Sequence, residues 1–300
     1  LVLVRPCGAL PKDRQTAIGG SPEDFAPIFG FWLHLLRGGQ MNVTCIRVAG
    51  LPQLDIHTLS EDWALAAALE NHWLVLADSL GLRPSAWIDT AGERMYGAVM
   101  ALRTWFDLSD VIREDDQVTL DTRFTAIRKP HALSITRFVV DGVSKAEVQL
   151  LTSFIKRNIK GSNKKFSKVR DLWTAPDHNP EAIDALLDTH HIAKNDPILG
   201  PLAMRHEVNR ITDFNTADFL YFKNFVRIAK AAEWRENRGA ATRLNQSREC
   251  FYFGNVDDAD QVLAHVDRDA DALQTWLLAE DGRRLFLSRA LAPLVKIQPR

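Results

Sequence analysis

Apolar positions along this chain fall into two rhythms, one of period two and one helical, and each occurs twice. Val43 to Val48 alternates as a half-buried strand does. Ser60 then stands as an N-cap, with Glu61 and Asp62 in the first turn where the helix dipole favours them. The helix predicted from there runs to about Leu80 and stops at Gly81. Its apolar residues, Trp63, Leu65, Leu69, Trp73, Leu76 and Leu80, surround more than one face, which predicts near-complete burial. Runs rich in β-branched and aromatic residues follow at about 94–105, 117–127, 132–140 and 146–157, with Asp141-Gly142 as a hairpin turn between the last two.

The second half repeats this order. Ala203 to Thr212 reads as a strand and Asp218 to Glu236 as a helix. Phe222, Phe225, Ala229 and Ala232 recur at helical spacing, and Leu220, Val226 and Ile228 widen the stripe. Strands follow near 247–256, 261–267, 272–279 and 284–291, with Asp281-Gly282 as a turn. Between the halves, about 158–200 is polar and contains proline, with one short helical pattern at Glu181 to Leu187, so it reads as a surface connector. A helix apolar nearly all round, joined to an antiparallel meander, is best buried by curling the sheet around it. The fold expected is α+β, a double hotdog: a first unit over 41–157, a connector over 158–200 and a second unit over 201–297. Two unrelated α+β domains are the competing arrangement.

Residues 1–40 differ from the rest, with Pro6, Pro11, Pro22 and Pro27 among several glycines. Their apolar run, Phe25 to Leu36, is interrupted by Pro27 and Gly30, too short to span a bilayer, and has no basic leader or A-x-A site. The segment is expected to be upstream sequence or a loosely ordered extension. Across all 300 residues, 46% are hydrophobic, 25% are charged and the formal net charge is -1, which argues against a globally basic nucleic-acid binder. Cys7, Cys45 and Cys250 form no CxxC pair, no HExxH or clustered His/Asp spacing occurs, and no metal is expected. The cytoplasm, with no membrane attachment, is the simplest location, as monomer or homodimer.

Several stretches in one order resemble a known family: GLPQLDIHTLSEDW from Gly50, ENHWLVLADSLG from Glu70, GERMYGAVMALR from Gly92, FIKRNIKGSNKKF from Phe154, DFNTADFLYFKNFVRIAKAAEWR from Asp213, and CFYFGNVD from Cys250. The chain is similar there to the Pnap_2097-type biosynthetic proteins of polyketide and nonribosomal peptide assembly lines, which include a leinamycin-type bifunctional acyltransferase/decarboxylase. The resemblance spans about Gly50 to Leu291. It implies an enzyme that takes methylmalonyl-CoA, moves the acyl group to an acyl carrier protein and releases carbon dioxide. Coenzyme A thioester is then a substrate, and no cofactor is bound permanently. The same fold also admits thioester hydrolysis or β-hydroxyacyl dehydration, or a non-catalytic carrier-protein-binding accessory. Dehydration would call for His72 or His206 facing Asp213 in one pocket; an accessory would fill its pocket with side chains and leave its basic stretch exposed.

Decarboxylation beside a thioester passes through an enolate, so the site needs hydrogen-bond donors on the thioester oxygen in a dry pocket. Tyr96, in the position that looks like the family's active-site tyrosine, is the first candidate, either as donor or nucleophile or as an ordinary sheet tyrosine. Asp213 and Asn215 precede the second helix, where an amide and the helix-start N–H groups would form an oxyanion site; helix capping is the equal alternative. His72 is a candidate acid/base that also suits a hydrogen-bonded core. Asn255 suits a turn beside Gly254, with a polar group lining the pocket as the alternative, and His190-His191 reads as a solvated pair. Lys156, Arg157, Lys160, Ser162, Asn163 and Lys164 belong to a basic stretch without acids, suited to coenzyme A phosphates or an acidic carrier protein, or simply a solvated loop.

Overall fold

A computed structural model describes residues 42–79, 87–169, 177–236, 246–269 and 272–291, all within one compact unit. The expectations for 1–40, Leu80 and Gly81 lie outside these residues. The first half contains β1 (Asn42–Val48), α1 (Glu61–Ser79), β2 (Tyr96–Phe106), β3 (Gln117–Arg128), β4 (His131–Val140), β5 (Val143–Arg157) and the short β6 (Phe166–Lys168). Then come α2 (Pro180–Asn195), β7 (Leu202–Glu207), α3 (Arg210–Asp213), α4 (Phe222–Glu236), β8 (Ser247–Tyr252), β9 (Gln261–Asp269), β10 (Ala272–Ala279) and β11 (Arg284–Leu291).

These strands make one 11-stranded antiparallel sheet in the order β1-β3-β4-β5-β2-β8-β11-β10-β9-β7, with β6 on β5. Outward from the central β2–β8 pair, each half repeats the same sequence of strands. The protein is a double hotdog, and a single sheet joins its halves. Two devices set element ends locally. Asp141 (φ 50°) and Gly142 (φ 79°) close the β4–β5 hairpin with two left-handed residues, which matches strand twist. The Ser60 hydroxyl accepts from Trp63 N–H at 3.4 Å and starts α1.

Alternation on the strands assigns the two faces of the sheet. Ser134 of β4 and Thr152 of β5 reach His72 of α1. Their neighbours Leu133 and Leu151 pack in the opposite direction with Ile183 and Ala193 of α2. The sheet therefore carries α1 on its inner face and α2 on its outer face. Within the expected surface connector, the short pattern at 181–187 is the front of a longer helix, α2, which packs on the middle of the outer face through Ile183 and Ala193. Among the described residues, no helix is long and apolar enough to cross a membrane.

The α1 helix is buried as its pattern predicts, and its polar residues there are satisfied. Asn71 donates to Thr122 Oγ1 at 3.1 Å, which lies 2.8 Å from Thr136 Oγ1. At the seam, β8 contributes Arg248, fully buried, whose guanidinium pairs with Glu233 of α4 at 2.8 and 3.0 Å and with Glu61 of α1 at 3.3 Å. Thr275, Ser288, Thr104 and Lys230 complete that network. It ties both central helices to one strand.

Candidate active site at the seam

The site is built around the turn that delivers α4. The helix begins at Phe222, four residues later than the apolar pattern suggests. Asp218 takes a left-handed conformation (φ 63°), and Asn215 holds the turn together. Its side-chain oxygen accepts from Ala217 N–H at 3.0 Å and Phe219 N–H at 3.2 Å. Local side-chain bonds of this kind compete with helix and delay its start.

Long-range contacts fix the same turn. Asn255 binds Leu220 in both directions, accepting from its N–H at 3.0 Å and donating to its carbonyl at 3.1 Å. Arg157 reaches across from β5 and donates to the Ala217 carbonyl at 2.6 Å, the Asp218 carbonyl at 2.8 Å and Asn163 Oδ1 at 2.9 Å. Its guanidinium also stacks over the rings of Phe219 at 4.0 Å and Tyr96 at 4.8 Å. Asn163, itself buried, donates to the carbonyls of Asp218 at 2.7 Å and Val256 at 3.0 Å.

Asp213 is buried beneath the turn. Its carboxylate accepts from Asn209 N–H at 3.0 Å, His206 Nε2 at 2.9 Å and the Arg227 guanidinium. Burial pushes its pKa upward, but the Asn209 and His206 hydrogen bonds and the His206 and Arg227 charges outweigh that and hold it below the usual carboxylate range. Asp213 thus anchors the turn as an ionised group.

Beside the turn is a cavity of about 560 Å³, well within the size range of small-molecule sites. Its position follows from how far the central pairing extends: β2 meets β8 only over Ala101–Trp105, while its earlier residues Tyr96–Val99 pair with β5 alone. Gly97–Met100 and the segment Phe253–Asn255 flank the opening, and both line the cavity. On the inner side the walls are Leu69 and Trp73 of α1 with Phe222 and Phe225 of α4. On the outer side they are Leu187, His190, His191 and Lys194 of α2. The cavity therefore passes through the sheet where the two halves part.

The expected site residues separate into three groups. Asn215 lines the cavity. Asp213 and Tyr96 are not among its lining residues; Tyr96 stands behind Phe219, a wall residue, with ring centroids 5.1 Å apart. The His206–Asp213 pair forms, but outside the cavity. His72 lies in the core, with Nδ1 2.7 Å from Ser134 Oγ and Nε2 2.8 Å from Thr152 Oγ1, and burial lowers its pKa to about 3.

Part of the basic stretch is committed to protein partners, while Lys160 and Lys165 are exposed. Lys156 pairs with Asp89 and Glu93, Lys164 with Asp257 and Asp260, and Ser162 donates to Asp257 at 3.2 Å. Arg157 and Asn163 are turned onto the α4 turn. The carboxylates that pair with Lys156 and Lys164 come from elsewhere in the chain, so no reading of the stretch alone reveals them.

Two further residues belong to the site. His190, expected to be solvated, is half-buried: Nε2 donates to the Tyr252 carbonyl at 2.9 Å, and its ring lies 5.1 Å from that of Phe253. A carbonyl only accepts, so Nε2 carries the hydrogen and the neutral ring keeps a lone pair on Nδ1. Burial lowers the His190 pKa, and the Lys194 and His191 charges add to this against the Tyr252 hydrogen bond. Its signal was the spacing Ile183, Leu186, Leu187, His190, which puts it on the apolar face of α2. The other is Gly97, an isolated glycine inside a strand, a mark of close approach by another group. A Cβ there would meet two Trp73 ring atoms at 2.5 Å.

No protein-family model matches this chain, and neither does any curated protein. Solved structures do. An acyl-ACP thioesterase from Bacteroides thetaiotaomicron matches with a TM-score of 0.60 at 11% identity, covering 84% of this chain and 98% of that one. A 12:0-ACP thioesterase from Umbellularia californica matches with a TM-score of 0.58 at 11% identity, covering 84% of this chain and 94% of that one. At such identity the likeness shows the fold, a double hotdog over most of both chains.

Proposed function

We propose that this protein is an acyl-thioester-processing enzyme, with coenzyme A or an acyl carrier protein as the thiol carrier and hydrolysis as its reaction. The cavity at the seam carries this reading. It is open, mainly aromatic and aliphatic on its inner side, and bordered by the start of α4, by Asn215 and by His190. The first N–H groups of a helix have no intrahelical acceptor, and its dipole favours negative charge. A thioester oxygen at the start of α4 is thereby stabilised as it becomes an oxyanion, and the Asn215 amide is a further donor. The Nδ1 lone pair of His190 takes a proton from water as the water oxygen bonds to the carbonyl carbon. Collapse of the tetrahedral intermediate breaks the C–S bond, and the imidazolium returns the proton to the leaving thiolate. The products are a carboxylic acid and a free thiol.

An accessory protein would fill its pocket with side chains, whereas this cavity is open. Dehydration is weakened because the His206–Asp213 pair lies away from the cavity. Decarboxylative acyl transfer keeps one supporting observation: Tyr96 stands one ring behind the cavity wall.

The deciding measurement offers acyl-, malonyl- and methylmalonyl-CoA, with and without carrier protein, and follows thiol release and all acyl species by mass spectrometry. Hydrolysis reduced at least a hundredfold in His190→Gln and retained in Tyr96→Phe is the expected result. Decarboxylated acyl carrier protein, lost in Tyr96→Phe, would replace hydrolysis with the transfer reaction. Absence of both binding and turnover with every thioester would overturn the proposal.

A further inference from the structure

We infer that Trp73 limits the length of the acyl chain this cavity accepts, an inference that rests on the acyl-thioester reading above. The two ends of the cavity differ in chemistry. The outer end carries His190, His191 and Lys194, whereas the inner end is bounded by Leu69, Trp73, Phe222 and Phe225. An apolar acyl chain partitions to the inner end, and the polar, phosphate-bearing arm of the carrier to the outer end.

Trp73 divides that inner end from the protein core. It lines the cavity one turn after Leu69 on α1 and packs against the cluster of Val75, Leu76, Met95 and Phe124. Its indole is held on several sides. Trp87 lies 5.8 Å away between ring centroids, Phe154 5.7 Å, and His72 meets it edge-on at 4.7 Å. On the strand side it rests on Gly97, where any larger residue would displace it. A wall fixed in this way does not yield to a longer chain, and overfilling a packed site is unfavourable. Removing the indole extends the cavity toward the cluster.

The test is a chain-length series of acyl-CoA substrates, with thioether analogues for binding, on wild type, Trp73→Phe and Trp73→Ala. The preferred chain should lengthen in Trp73→Ala, and each methylene newly accommodated should improve kcat/KM by roughly fourfold, the equivalent of about 0.8 kcal/mol. Trp73→Phe, which keeps an aromatic ring in the packing, should shift the profile less and in the same direction. Should Trp73→Ala fail to fold, the Trp73→Phe profile decides. An unchanged profile in folded variants that still turn over thioesters would overturn the inference and leave the acyl-thioester reading intact. Wild-type protein that neither binds nor turns over any member of the series would overturn both.

Discussion

A histidine survives in an apolar core only when both ring nitrogens have partners and the ring stays neutral, and His72 meets both conditions. Its folded pKa of about 3 lies below the ordinary 6.5, so the unfolded chain takes up the proton first. Above pH 6.5 neither state is protonated, and this group imposes no cost. As pH falls from 6.5 toward 3, it removes stability at up to about 1.4 kcal/mol per pH unit. Urea unfolding at pH 7, 6 and 5 should show wild type losing stability faster than His72→Gln; parallel pH dependence would contradict a buried neutral ring. The sequence placed His72 on a buried helix beside Trp73, but its hydroxyl partners lie 62 and 80 residues away. Arg157 follows the same rule. It reads as one charge in a basic run, yet its carbonyl partners are 60 and 61 residues distant.

At the scale of elements, the apolar rhythms located α1, most of the strands and most of α4, because burial against one sheet face imposes their periods; the strand expected over Ala203–Thr212 stops at Glu207, and Arg210–Asp213 is helical. They misjudged the start of α4 because the Asn215 turn and its clamps from Arg157, Asn163 and Asn255 override the local apolar spacing. What joins the two central helices is also non-local: Arg248 sits between Glu61 and Glu233. Burial raises the Glu61 pKa, but the Arg248 and Lys230 charges and the Thr104 hydroxyl outweigh it and keep that carboxyl ionised. Arg248→Met should therefore cost about 3–5 kcal/mol, since it leaves buried carboxylates uncompensated. Adding Glu61→Gln and Glu233→Gln should restore much of that loss in the same denaturation experiment. A single Arg248→Met change with no effect on the urea midpoint would refute the network.

Across the whole sheet, the halves share a ladder over Ala101–Trp105 and Phe251–Ser247, and this buried ionic group crosses it. Neither half closes its own core at that seam. Thermal unfolding followed by tryptophan fluorescence and by far-ultraviolet circular dichroism should then give one coincident transition. Two resolved transitions would mean that the hotdog units fold independently. By itself the sequence determined the repeated order of strand, buried helix and meander, because hydrophobic periodicity is a local record of which face is buried. It also marked the turn before α4 as special through its density of polar residues. Only the tertiary structure decided which polar groups border the cavity and which hold the frame. It put Asp213 beneath the turn, Tyr96 behind Phe219, and His190 at the opening between β2 and β8. The physical reason is that a polar side chain's role depends on the partners that meet it, and these come from distant segments through sheet register and helix packing.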